Sequence, residues 1–153
     1  MKNTPFVLAL VLFISCSNDK KTVEDIDYVA KNEADIQAYV EENNLTAIRS
    51  NSGLYYVIEE EGTGAQAEAT SNVTVAYKGY FLNGSVFDQS DEEGITIGLN
   101  QVIAGWTEGI TYLKEGGNGI LLVPAHLGYG SQDFSGIPGG SVLVFEVTLI
   151  SVN

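Results

Sequence analysis

The stretch Val73-Thr-Val-Ala-Tyr77-Lys-Gly-Tyr-Phe-Leu82-Asn83-Gly84-Ser-Val-Phe87-Asp88 decides the reading of this chain. Val73, Val75 and Tyr77 alternate with Thr74, Ala76 and Lys78, the period of a half-buried strand. Asn83-Gly84, set between Tyr80-Phe-Leu82 and Val86-Phe87, is a strong hairpin signal. Short β-rich runs lie on either side: Leu54 to Ile58 upstream, Ile120 to Val123 downstream. A last strand runs from Val142 to Val152, with Leu143, Phe145, Val147 and Leu149 on one face. A helical spacing interrupts them, in which Ile103, Trp106, Ile110 and Leu113 recur at steps of 3, 4 and 3. Gly105 and Gly109 weaken that helix in isolation, so packing must hold it. The pattern predicts an α+β domain, one antiparallel sheet wrapped against one short helix.

The sequence before Gly53 is of another kind. Residues 1–15 carry Lys2 and the apolar run Phe6 to Ile14, too short to cross a bilayer and suited to a signal peptide. Ser15-Cys16 ends that run and polar residues follow at once, which resembles the lipobox of bacterial lipoproteins, although Phe13 stands where leucine is more usual. The resemblance implies cleavage before Cys16 and a lipid on its sulfur. Cys16 is the only cysteine, so no internal disulfide can form and an exported free thiol would need another explanation. An ordinary signal peptide with an incidental cysteine is the alternative. Residues 16–48 read as a polar tether and a short helix. Asn32 is its expected cap, Glu33 and Asp35 stand in its first turn, and Ile36, Tyr39 and Val40 form one apolar stripe ending near Asn43-Asn44. Packing on the main domain, residues 49–153, is the preferred role of that stripe over a dimer contact.

Twenty acidic against seven basic residues give a formal charge of −13. Nucleic acid and a polybasic membrane surface are excluded as partners, because both need clustered Lys and Arg. Hydrophobic residues make up 44 % and charged residues 18 %, as in a folded globular domain. A zinc site or a catalytic triad would have to run through the single histidine, His126, in a glycine-rich loop where a structural or solvated role is the expectation. Gly116-Gly-Asn-Gly119 lacks the Lys and Ser/Thr of a phosphate loop. Glu92-Glu93 has no apolar pocket to raise a pKa for acid catalysis. No metal site is predicted.

What remains is a set of aromatic residues near turns, and their flanking residues form a pattern. Val75-Ala-Tyr77-Lys-Gly79, Asn83-Gly-Ser-Val-Phe87-Asp88-Gln-Ser90, Val102-Ile103-Ala-Gly105-Trp106-Thr-Glu-Gly109, Val123-Pro-Ala-His-Leu-Gly128-Tyr129-Gly130, Ile137-Pro138 and Leu143-Val-Phe145-Glu-Val147 follow in the order of an FKBP-type peptidyl-prolyl cis-trans isomerase. The chain from Gly53 to Asn153 resembles that family. The resemblance implies a strongly bent antiparallel half-barrel gripping one short helix, here with a short N-terminal helical extension. It also implies rotation about X-Pro bonds, which breaks no covalent bond and needs no nucleophile, metal or cofactor. Carried over by motif, Trp106 is the floor of the pocket, and Tyr77, Phe87, Val102, Ile103 and Phe145 are its walls. Asp88 and Tyr129 are its polar members, and Ile137 reaches in as a flap. Catalysis is expected of Tyr77, Phe87, Asp88, Trp106 and Tyr129, and substrate binding of Val102, Ile103, Ile137 and Phe145. The implied partners are proline-containing polypeptides and a macrolide ligand, and the implied setting is the bacterial envelope, on a lipid anchor at the outer membrane. A catalytically weak FKBP-fold holdase or partner-binding lipoprotein is the alternative. The acidic loop Asp91-Glu92-Glu93 departs from relatives that carry an aromatic there, with Glu93 expected in its place. Ser131 to Gly136 and Gly139 depart as well, and these changes bear on substrate preference and macrolide affinity.

Overall fold

The computed structural model describes residues 27–153; the signal-like segment and Cys16 lie outside the described residues. The elements in chain order are α1 (Tyr28–Glu42), β1 (Ile48–Arg49), β2 (Tyr55–Glu60), β3 (Asn72–Phe81), β4 (Val86–Gln89), β5 (Ile95–Gly98), α2 (Ala104–Gly109), β6 (Asn118–Val123) and β7 (Leu143–Val152). The strands form one seven-stranded sheet in the order β1-β2-β6-β7-β3-β4, with β5 also paired to β3. Every pairing is antiparallel. The first half of β3 therefore holds β5 and its second half holds β4. Register shifts between Thr74 and Val75, and between Gly79 and Tyr80, mark where these pairings are irregular, as bulges that bend and twist a strand do.

Side-chain alternation divides the apolar residues between two faces. Val73, Val75, Leu121, Val123, Leu143, Phe145, Val147 and Leu149 pack on the inner face with Trp106, Ile110 and Leu113. The helix α2 lies close to this face because its glycines present no side chain. A Cβ on Gly105 would stand 2.5 Å from Val123 Cγ1, and one on Gly109 would stand 2.7 Å from Leu121 Cδ1. The two residues that cost helix propensity are thus the ones that allow the helix to dock.

The outer face carries Tyr55, Leu122 and Val144, and α1 covers them with the fully buried Ile36, flanked by Tyr39 and Val40. The expected stripe packs on the domain. The helix starts earlier than expected, however. Asp27 is the N-cap, its carboxylate accepting hydrogen bonds from the backbone N–H groups of Val29 and Ala30. Asn32 lies inside the helix and is only 1 % exposed. Asn32 has the chemistry of a cap, but its partners lie far along the chain, where a local pattern does not reach. Two further strands lie outside those expected: the two-residue β1 and the half-exposed β5. The Asn83-Gly84 hairpin forms as expected, closed by Gly84 N–H to the Phe81 carbonyl at 2.8 Å with Gly84 at φ +84°.

Candidate active site

A cavity of about 410 Å³ opens between α2 and the β3–β4–β5 edge of the sheet, lined by Tyr77, Phe87, Asp88, Val102, Ile103, Trp106, Tyr129 and Phe145, with Ile95, Ile97 and Gln101 completing it. Trp106 comes from α2 and is 5 % exposed. Phe145 and Tyr77 meet it edge-on, with ring centroids at 5.3 Å and 5.0 Å. Phe87 stands perpendicular to Phe145 at 5.6 Å. Edge-to-face geometry of this kind adds to the gain from burial alone. It is allowed here because Gly79 has no side chain: a Cβ there would lie 2.7 Å from Phe87 Cζ and 2.9 Å from Phe145 Cε1. Trp106 Nε1 is buried without a hydrogen-bond partner among the described residues.

The polar groups stand together. The Tyr77 hydroxyl donates to Asp88 Oδ2 at 2.6 Å, which orients both side chains. Burial first, and then the Asp88 carboxylate, hold the Tyr77 hydroxyl far above the ordinary tyrosine range. Burial and the charge of Asp88 push Tyr129 upward as well. Both hydroxyls therefore stay protonated across the neutral range as donors. His126 is remote from this chemistry; its Nε2 lies 2.9 Å from the Ser52 carbonyl on the protein surface.

Eight of the nine residues expected from the sequence line this cavity. Ile137 lines an adjoining cavity of about 500 Å³ instead, with Phe81, Val86, Phe134, Ser135 and Gly136, and Phe87, Asp88 and Tyr129 form the partition between the two. Phe134 stacks on Tyr129 with the ring planes at 10°. The wall expected at Glu93 is formed by Ile95 and Ile97 of β5; Glu93 itself is exposed and does not line the cavity. The alternation Ile95-Thr-Ile97 after Gly94 was the available signal, masked by the acidic residues before it. Gly139, which departs from the expected pattern, has a local reason: its N–H donates to Asp133 Oδ1 at 2.8 Å, a bond proline cannot make. Among the described residues, no group of His, Cys, Asp and Glu is arranged to hold a metal ion.

The family profile of the FKBP-type peptidyl-prolyl cis-trans isomerases matches residues 64–150. The chain belongs to this family. An FKBP-type isomerase named FkpA from Buchnera aphidicola, of the strain from Acyrthosiphon pisum, is 40 % identical over 106 residues, covering 68 % of this chain and 44 % of that protein. The FkpA of Escherichia coli K12 is 41 % identical over 105 residues, covering 67 % of this chain and 39 % of its own length. The chain thus spans about two-fifths of the length of these curated relatives. The crystal structure of E. coli FkpA superposes with a TM-score of 0.73 and 36 % identity, over 82 % of this chain and 61 % of that one. A peptidyl-prolyl isomerase structure from Pseudomonas syringae gives 0.71 and 28 %, over 84 % of this chain and 98 % of that one. The α+β half-barrel expected of an FKBP domain is the fold observed.

Proposed function

We propose that this chain is a peptidyl-prolyl cis-trans isomerase of the cell envelope, acting on proline-containing segments of exported proteins. The aromatic cavity, with its polar groups gathered on one side, is the observation that carries this reading. Amide resonance sets a barrier of about 18–20 kcal/mol to rotation of a peptide bond, so an X-Pro bond turns over in roughly tens to hundreds of seconds unaided. At the twisted transition state resonance and charge separation are lost, and a water-poor apolar site favours that state over the planar amide. Trp106 is assigned as the floor beneath the proline ring, with Tyr77, Phe87, Val102, Ile103 and Phe145 around it. The Tyr129 hydroxyl is assigned as donor to a carbonyl of the bound chain, and Asp88, oriented by Tyr77, lies beside the amide. Ile137, with Phe134, is assigned to the chain flanking the proline. A macrolide ligand would occupy the same cavity.

The test is an isomerase assay with a proline peptide on the purified full chain. Tyr129→Phe keeps the ring and deletes one hydrogen bond, worth about 0.5–1.5 kcal/mol to a neutral partner. A fall in kcat/KM of roughly two- to twelvefold is expected from that range, at 1.36 kcal/mol per factor of ten. Because both pocket tyrosines are shifted upward, the kcat/KM profile is expected to be flat from about pH 6 to 8. A bell-shaped profile abolished by His126→Gln would instead mean acid–base catalysis.

Residues 16–48 are proposed as a lipidated tether and helix attached to the isomerase domain at 49–153, with residues 1–15 as a signal peptide and the anchor in the outer membrane. No helix of the described residues is long and apolar enough to cross a membrane. The support for an anchor is the Ser15-Cys16 junction after an apolar run. Cys16→Ala is expected to abolish labelling with radioactive palmitate and to move the protein from the membrane to the soluble fraction. Undiminished labelling would end the lipid assignment.

A further inference from the structure

The loop from Ala125 to Gly140 carries Tyr129, Phe134 and Ile137, and the two ends of its neck are joined through a side chain of α1. The Ala125 N–H donates to Asn32 Oδ1 at 2.8 Å, and Asn32 Nδ2 donates to the Gly140 carbonyl at 2.9 Å. The circuit closes within the loop itself. The Gly140 N–H donates to the Gly130 carbonyl at 2.8 Å, and the Gly130 N–H donates to the Ala125 carbonyl at 2.8 Å. Four hydrogen bonds thus run in a ring through Asn32, Ala125, Gly130 and Gly140, one residue away from Tyr129. The Tyr28 ring seals the ring of bonds from the helix side, lying where a Cβ of Gly140 would be, 1.8 Å from Cε1. Gly140 holds φ +77°, a conformation that glycine adopts without strain.

A simple docking role for α1 does not require this arrangement, since Ile36 already buries the helix on the sheet. Asparagine is costly inside a helix and costly to bury unless its amide is fully used. Here both amide ends are used, and both go to the neck of the site loop. We propose that Asn32 is a positioning residue for isomerisation: it clasps the neck of the 125–140 loop and thereby fixes the Tyr129 hydroxyl over the cavity. The inference deepens the isomerase reading and rests on it. The helix next to the proposed tether is in this way part of the catalytic apparatus.

The test pairs Asn32→Leu, alike in branching though bulkier and unable to form either bond, with Tyr129→Phe in the full chain. Asn32→Leu is expected to lower kcat/KM by about the same two- to twelvefold as Tyr129→Phe, because the same hydroxyl contact is lost. In the Asn32→Leu background, Tyr129→Phe is expected to cost less than about twofold, the non-additivity of residues acting through one contact. Amide exchange at Gly130 and Gly140 is expected to rise roughly tenfold or more, with β3 amides unchanged, as for a local opening. Asn32→Ala removes both bonds without added bulk or a buried charge, and the same loss is expected. It supplies the same readings if the leucine variant does not fold. Equal losses from Tyr129→Phe in both backgrounds, or unchanged protection at Gly130 and Gly140, would overturn the proposal. Exchange reads the clasp independently of turnover, so an inactive parent chain would defeat the isomerase reading and leave the clasp to be judged by protection.

Discussion

Phe87→Ala is expected to lower kcat/KM by roughly 13- to 160-fold, more than the two- to twelvefold expected from losing the Tyr129 hydroxyl. The ring stands in the partition between the cavities of about 410 Å³ and 500 Å³ and is held by Phe81 at 5.0 Å and Phe145 at 5.6 Å between centroids. Its removal joins the two cavities and brings water to the amide, so the apolar environment that favours the twisted state is diluted. Full burial of such a side chain is worth about 1.5–3 kcal/mol, and at 1.36 kcal/mol per factor of ten this gives the range stated. The ring also supports the fold, and losing a large aromatic from a core costs about 3–5 kcal/mol at most sites. Phe87 is partly exposed, so a smaller cost is expected, and a melting curve must establish that the variant is folded at the assay temperature. A folded variant with unchanged kcat/KM would exclude the dry cavity as the source of acceleration.

Gly79→Ala is expected to damage activity through a residue that touches no substrate. Its new methyl would meet the rings of Phe87 and Phe145 at 2.7 Å and 2.9 Å, and Phe145 is buried against Trp106 and cannot yield. Phe87 is the freer of the two and would turn into the cavity, narrowing it where the proline ring is assigned. Overpacking of this kind typically costs about 1–3 kcal/mol, partly offset by the better strand propensity of alanine. A rise in KM larger than the fall in kcat is expected, since the obstruction acts on substrate entry and the polar groups remain. Restoration of KM in Gly79→Ala/Phe87→Leu would identify the ring as the obstruction. Unchanged KM in the single variant would show that the rings relax away from the cavity.

Much of the site was legible because its residues are marked by local chemistry. Period-two alternation through Val73, Val75 and Tyr77, the Asn83-Gly84 turn and the 3-4-3 spacing through Trp106 each follow from backbone geometry, so the hairpin, the inner face and the site helix could be read directly. The ordered motifs then carried eight of the nine expected side chains to one cavity. Sequence position alone puts Glu93 in the gap of the motif, whereas the gap is closed by β5 pairing back on β3 through Ile97↔Val73 and Ile95↔Val75. Strands this short carry too little pattern of their own, and their existence depends on a neighbour distant in the chain.

The sequence by itself determined the α+β class, the places of the main strands along the chain, the inner apolar face and the aromatic inventory of the site. Those features repeat at the period of the backbone and are encoded within a few residues. Tertiary structure alone decided that Ile137 borders a second cavity, that Gly79 admits two rings, and that Asn32 is a buried clasp and no cap. In each case the deciding partner lies far along the chain: Gly140 is 108 residues from Asn32, and Ala125 is 93. Asparagine's side chain can bond its own backbone at a cap or a distant carbonyl with the same atoms. Only the packing that brings Ala125 and Gly140 to one face of α1 selects between them.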